Sequence, residues 1–419
     1  MHNKSAALQK TVIAKPETAA AHYEYGKTVM DGLIEGDLSS LYTVTLKCRE
    51  AIRLKPDYVE AYCLLGSALV MQGQLSEAMQ SLAMAISLRP EYAEAHYYLG
   101  KAYLSSGDHD SALNLFTASR QLGMNASMAC CGVGSALSRK GLYSEAIQEL
   151  KSAVTENPAN AAAYVELGLA YLKTDSVSDA IIHLRKAVEL CPKDADVHHH
   201  LGTAYLRKRL YDAAFSEYCA VLSLVPGHLE AINGKGNTYH CRGMIDEAIR
   251  EYRHAIEVDP ADYHAYFHLA MAYVEKGMYE RAIPEYRRAI CAAPRLSELH
   301  TDFGLLLLLC GDSANATLEF REALRLAPDS YSDRVNLGTA LDRSGLFAEA
   351  MAELNEAVRF SPSQPEAFYQ LGTMLDRSGD TAQAAIAYES FIRFSTGGDK
   401  RVKAVRARLL ELKNVKKSK

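Results

Sequence analysis

Hydrophobic residues make up 48% of the 419-residue chain and charged residues 23%. That balance excludes a disordered or collagen-like chain, because apolar material suffices for a core throughout. The formal net charge of -5 gives no general attraction to nucleic acid or anionic lipid, since either favours a basic surface.

Residues 1–20, MHNKSAALQKTVIAKPETAA, lack the apolar stretch of about 7–15 residues that marks a secretory signal. They read as an N-terminal segment, partly disordered or forming a short helix. The longest apolar run, Phe303 to Cys310, is far shorter than the ~20 residues of a membrane helix. A cytoplasmic location is the expectation. Nine cysteines are scattered without a Cys-x-x-Cys pair. This suits small buried or half-buried thiols in a reducing compartment, not a disulfide frame or a zinc finger.

Residues 21–58 read as a divergent capping hairpin. They keep Tyr25, Gly26 and an ending from Ala51 to Pro56, with about six extra residues. From 59 to 396 the chain repeats with a period of 34. Prolines recur from Pro56 to Pro362, interrupted only at Met124; a small residue recurs from Gly66 to Gly372, with Ala270 the one alanine; a further alanine recurs from Ala78 to Ala384 without exception. Between the small residue and that alanine lies a turn usually marked by glycine, as at Gly73, Gly107 and Gly379. Glycine just past a helix end takes the left-handed conformation without steric penalty, so Asp175 and Arg209 in its place cost about 1 kcal/mol each if that geometry is kept.

Apolar residues at helical spacing complete the pattern. Leu65, Leu99 and Leu167 precede the small residue, Leu69, Tyr103 and Tyr171 follow on the same face, and Leu82, Phe116 and Leu184 come from a second helix. Together they predict a continuous core shared between neighbouring hairpins. The small residue lets two helices, of one hairpin or of adjacent ones, approach closely, and the proline ends the second helix. Pro284 falls inside a second helix, where it removes a bond to the carbonyl of Glu280 and predicts a bend.

The agreement of five position classes in register resembles the tetratricopeptide repeat family, with ten full repeats over residues 59–396. The resemblance implies an all-α fold. It would be a right-handed superhelical solenoid of antiparallel helix pairs, about eleven hairpins with a C-terminal capping helix, whose concave groove, lined by the first helices, takes extended or helical peptides. The family's clamp for a C-terminal carboxylate uses Lys, Asn, Asn, Lys and Arg in three consecutive repeats. Asn233 and Asn237 supply part of such a lining, but His268, Glu298 and Asp302 stand where further cationic or amide groups are needed. Chaperone tails ending in a carboxylate motif are therefore not the expected ligand.

Residues 397–419 begin with Gly397-Gly398 and carry nine Lys or Arg against Asp399 and Glu411. Val402, Val405, Leu409, Leu410 and Leu412 give this segment an apolar face, predicting a basic capping helix and a Lys-rich tip.

No phosphate loop, G-x-S-x-G or H-E-x-x-H motif is present, and the repeats leave no separate stretch for a catalytic domain. Neither an enzyme nor a cofactor is expected. The expected function is a scaffold or adaptor holding a protein or peptide in the groove. Its candidate residues are Phe267, Met271, Val274, Leu305, Leu308 and Leu309, an apolar stretch in adjacent repeats that reads either as a docking site for a partner helix or strand or as filling between first helices. Asn233, Asn237, His268 and Arg207 complete the set. Arg207 is one of several cations at first-helix ends, among them Lys140, Lys208, Lys276, Arg343 and Arg377, which either hold an acidic peptide or follow the helix dipole. Two alternatives stand beside this reading. One is a metal-binding or catalytic role for the His198–His268 region, which includes His199, His200 and His264; the other is nucleic-acid or membrane-surface binding by the basic tail. Self-association is open, because each end of a solenoid is a cut core.

Overall fold

A computed structural model describes residues 18–32, 38–396 and 398–415. The first 17 residues and the Lys-rich tip after 415 lie outside them. The described residues form 23 helices and no strand, divided into two compact units between Pro226 and Gly227.

The first unit holds α1 (Ala19–Asp31), α2 (Leu38–Leu54), α3 (Val59–Met71), α4 (Leu75–Leu88), α5 (Ala93–Ser106), α6 (His109–Gln121), α7 (Ala126–Arg139), α8 (Tyr143–Glu156), α9 (Ala161–Lys173), α10 (Val177–Leu190), α11 (Ala195–Arg207) and α12 (Tyr211–Leu224). The second holds α13 (Leu229–Cys241), α14 (Ile245–Val258), α15 (Tyr263–Glu275), α16 (Tyr279–Ala292), α17 (Ser297–Leu309), α18 (Ser313–Leu326), α19 (Tyr331–Arg343), α20 (Phe347–Phe360), α21 (Pro365–Ser378), α22 (Thr381–Phe394) and α23 (Arg401–Val415). Within each unit every helix packs on the next, so each unit is a stack of helix pairs.

The small residue of each first helix faces the second helix of its own pair. A β-carbon added at Gly66 would stand 2.4 Å from Leu82 Cγ, and one at Gly236 would stand 2.6 Å from the Tyr252 ring. Forcing such overlap costs about 1–3 kcal/mol, so glycine here sets the closeness of the hairpin. At one place the contact runs to the preceding pair, where a β-carbon on Gly132 would meet Phe116 at 2.5 Å.

The turn between the helices of a pair keeps the left-handed geometry even without glycine. Asp175 has φ 60° and Arg209 φ 62°, and Leu210 N–H donates to the Tyr205 carbonyl at 2.9 Å across the latter turn. Where Met124 interrupts the proline series, Gly123 ends α6 instead: it takes φ 89°, and Met124 N–H donates to the Ser119 carbonyl at 3.0 Å. Helix α16 runs unbroken through Pro284, which is exposed.

One apolar cluster extends from Ala248 to Leu412 in the second unit, whereas buried residues of the first unit gather in smaller clusters. Tyr103 and Tyr171 pack against successive clusters of the first unit and link them. Helix α23 closes its unit by burying Val405, Leu409 and Leu412. Arg408 Nε lies 2.8 Å from Asp376 Oδ2, and Arg401 Nη1 2.8 Å from Glu366 Oε2. Of the thiols, Cys48, Cys63, Cys130 and Cys131 are buried, but Cys241, Cys291 and Cys310 are exposed, contrary to the sequence expectation. Among the described residues no helix is long and apolar enough to cross a membrane.

Candidate functional site

The apolar repeats of the second unit do form a concavity. A cavity of about 360 Å³ is lined by Met271, Val274 and Glu275 of α15, by Asp302, Leu305, Leu306 and Leu309 of α17, by His240 of α13 and by Tyr286 of α16. Leu305 is 42% exposed and Leu309 59%. Both therefore stand at the mouth, while Met271 and Val274 are half-buried and form its wall. Glu298, Asp302, Leu305 and Leu309 follow one another at four, three and four residues, the spacing of a single helix face. That face is acidic in its first half and apolar in its second.

Two of the apolar residues read as groove-lining belong to the packing instead. Leu308 is buried in the core, and Phe267 packs against that core with its ring 6.1 Å from the ring of Tyr286. A 13-residue helix shows only part of its circumference to a groove, so adjacent positions such as Leu308 and Leu309 diverge. The amides are committed as well. Asn233, buried, donates from Nδ2 to Asp262 Oδ2 at 2.6 Å, and Asn237 Oδ1 accepts from the Tyr252 hydroxyl at 2.7 Å. His268 is half-buried against the rings of Tyr252 and Phe267. Burial first, then the neighbouring His264 and His240, push its imidazole down to about 4.

Arg207 lies in the first unit, away from these residues in the chain, and ties adjacent pairs together. It donates to the Leu172 carbonyl at 2.6 Å and to Asp175 at 2.8 Å. Other cations at first-helix ends act similarly: Lys140 and Lys276 reach back to Asp110 and Asp246 at 2.5 Å, Lys208 to Ser178 at 2.7 Å, and Arg343 to the Leu308 carbonyl at 3.2 Å. Arg377 pairs with Asp342. Each of these six cations thus makes a cross-pair tie, which sequence reasoning did not foresee.

The histidines are likewise used in packing. His198 Nδ1 lies 2.6 Å from Glu217 Oε2 and its Nε2 3.2 Å from the Pro192 carbonyl oxygen. His300 repeats the arrangement with Glu319 at 2.7 Å and Pro294 at 3.4 Å. Arg334 occupies the same position in a later repeat and reaches Glu353 at 3.1 Å and Pro328 at 2.9 Å. An arginine in that place shows the position to be a bridge to the preceding turn rather than a ligand site. Among the described residues no three His, Cys, Asp or Glu side chains converge as a metal site would require.

The acidic side of the cavity is what the sequence reading left out. Asp302 is half-buried, and among the described residues no hydrogen bond or ion pair reaches its carboxylate. Burial raises its pKa above the usual carboxylate range, and Asp333 and Glu298 raise it further. His240 Nε2 and Glu275 Oε2, also of the lining, are 2.5 Å apart. The signal was present as Glu298 and Asp302 at groove positions of one helix face, but the lack of a bonded partner at Asp302 depends on neighbours in other repeats.

Family models described as TPR repeat match residues 66–107 and 236–277, and models described as tetratricopeptide repeat match 134–195, 301–365, 335–399 and 263–295. No curated protein matches the chain. Among solved structures, a tetratricopeptide repeat protein from Parabacteroides merdae ATCC 43184 is 18% identical, covers 59% of this chain and 98% of its own, and superposes with a TM-score of 0.51. Yeast Tom70 is 15% identical over 96% of this chain and 97% of its own, with a TM-score of 0.46. YrrB, described as a TPR protein with an unusual peptide-binding site, is 24% identical over 45% of this chain and 96% of its own, with a TM-score of 0.38. The matched segments together span more than half of the sequence, on the helix pairs and glycine-to-second-helix contacts described above, and the chain belongs to the tetratricopeptide repeat family.

Proposed function

We propose that this chain is a non-catalytic scaffold or adaptor that holds a partner protein through the α15–α17 groove of its second unit. Proteins of this family are generally protein-interaction scaffolds, and the observation that carries the reading here is a cavity of about 360 Å³ with Leu305 and Leu309 exposed at its mouth. Apolar side chains grouped in a concave wall gain roughly 1.5–3 kcal/mol each when a partner buries them. Arg207, Lys140, Lys208, Lys276, Arg343 and Arg377 are engaged in ties between pairs, which removes the row of cations as a competing ligand surface.

The test places a photo-crosslinking residue at Met271 in the full chain and identifies captured protein by mass spectrometry. A double variant, Leu305→Ser with Leu309→Ser, should lose capture while keeping its Tm, because both side chains are exposed. Leu308→Ala should instead lower stability by about 2–5 kcal/mol, as expected of a core leucine. Capture that survives the double variant, or equals capture from a crosslinker at Ile182 in the first unit, would sink the proposal.

A further inference from the structure

Two observations on α17 need a common explanation. Its groove face carries two exposed leucines, and one and two turns before them stand Asp302 and Glu298. Glu298 lies in the first turn of the helix, where the N-terminal dipole favours an acid. Asp302 lies beyond that turn, half-buried, without a bonded partner among the described residues and beside the acidic Asp333, which is itself engaged by the Thr301 hydroxyl at 2.7 Å. A carboxylate held among other carboxylates opposes the stability of the free protein. Its surroundings become favourable when a cation arrives.

We propose that the groove takes a partner segment that joins a large apolar side chain, seated against Leu305, Leu309, Met271 and Val274, to a lysine or arginine that bonds to Asp302. This rests on the reading of the groove as the docking surface and adds the chemistry of what docks. The charge complementarity is local: Asp302 and Glu275, the latter paired with His240, line the cavity together with the apolar residues, and Glu298 stands one turn before Asp302 on the same helix face. The spacing is also constrained. Seven residues of helix separate Asp302 from Leu309, about 10 Å of rise. An extended segment covers that distance in about three residues. The cation and the apolar anchor of an extended partner therefore stand about two to four residues apart.

The test selects binders from a random peptide library displayed on phage, using the full chain as bait, and repeats the selection on Asp302→Asn and on Leu305→Ser with Leu309→Ser. The expected result is enrichment of an aliphatic or aromatic residue with Lys or Arg two to four positions away. Synthetic peptides of that pattern should bind Asp302→Asn about tenfold more weakly or worse, the loss of one charge-assisted bond. The Asn variant should fold with an unchanged or higher Tm, since the native carboxylate has no partner to lose. Selected peptides that depend on Leu305 and Leu309 but show no cation preference, or that bind Asp302→Asn equally well, overturn the cation site and leave the docking surface standing. Failure of any selected peptide to depend on the two leucines overturns both.

Discussion

Arg209 and Asp175 sit at the residue scale as the two side chains, among the described residues, forced into a conformation that glycine takes freely elsewhere in the repeat. Arg209→Gly should raise stability by about 1 kcal/mol, read as a shift in the urea midpoint. Asp175→Gly should gain less. Aspartate tolerates the left-handed region better than arginine, and Asp175 also accepts a bond from Arg207 at 2.8 Å, an exposed pair contributing about 0–1 kcal/mol. Equal gains at the two sites would contradict this account. His268 supplies a pH prediction. Its folded-state pKa of about 4 lies below the ordinary 6.5, so the unfolded chain binds the proton more readily than the folded one. The associated stability is complete above 6.5 and is lost as pH falls toward about 4. His268→Gln removes that titration, and its Tm should fall less than that of the parent between about pH 7 and about pH 5. Superimposable pH profiles would show that the imidazole is not held neutral by folding.

Each first helix is an element built to present three surfaces: a small-residue face to its own partner helix, an apolar face to the neighbouring pair, and a remainder to the groove. The first two follow from period and spacing, which is why the hairpins were legible from the sequence. The third was legible only in part. Leu305 and Leu309 reach the cavity and Leu308 does not, a difference of a helical rotation that hydrophobicity alone does not resolve. Helix α16 carries the element-scale prediction. Pro284 lacks the N–H that would bond the Glu280 carbonyl, and an interior proline costs about 3 kcal/mol relative to alanine. Because Pro284 is exposed, Pro284→Ala should stabilise the protein by about 1–3 kcal/mol. An unchanged urea midpoint would mean that the ring makes a compensating contact or that the helix is already relaxed around it.

For the whole molecule, the closing helix α23 matters most. It covers the last pair with Val405, Leu409 and Leu412 and fastens itself through Arg401 and Arg408. Those two arginines are part of the basic character that first suggested a nucleic-acid or membrane-binding tail, and they are spent on Glu366 and Asp376. Removing residues 398–419 should uncover Phe391 and the apolar side of α22, lower stability by several kcal/mol at roughly 1.5–3 kcal/mol per buried side chain, and produce concentration-dependent association in sedimentation. A truncated chain that stays monomeric with its original Tm would show that the last pair needs no cover.

Sequence alone determined the repeat, the helix pairs, the family resemblance and the positions where glycine or its substitutes turn the chain. Those features are local: a 34-residue period, a small residue, a turn residue and a proline each act within one or two helices. Tertiary structure decided what depends on neighbours a repeat or more away. It assigned the cations at first-helix ends to cross-pair ties, placed His198 and His300 between a carboxylate and a proline carbonyl, buried Leu308, and left Asp302 among acids at the edge of an apolar cavity. A side chain's partner across the stack is fixed by rotation and distance in three dimensions, and a repeat period carries neither.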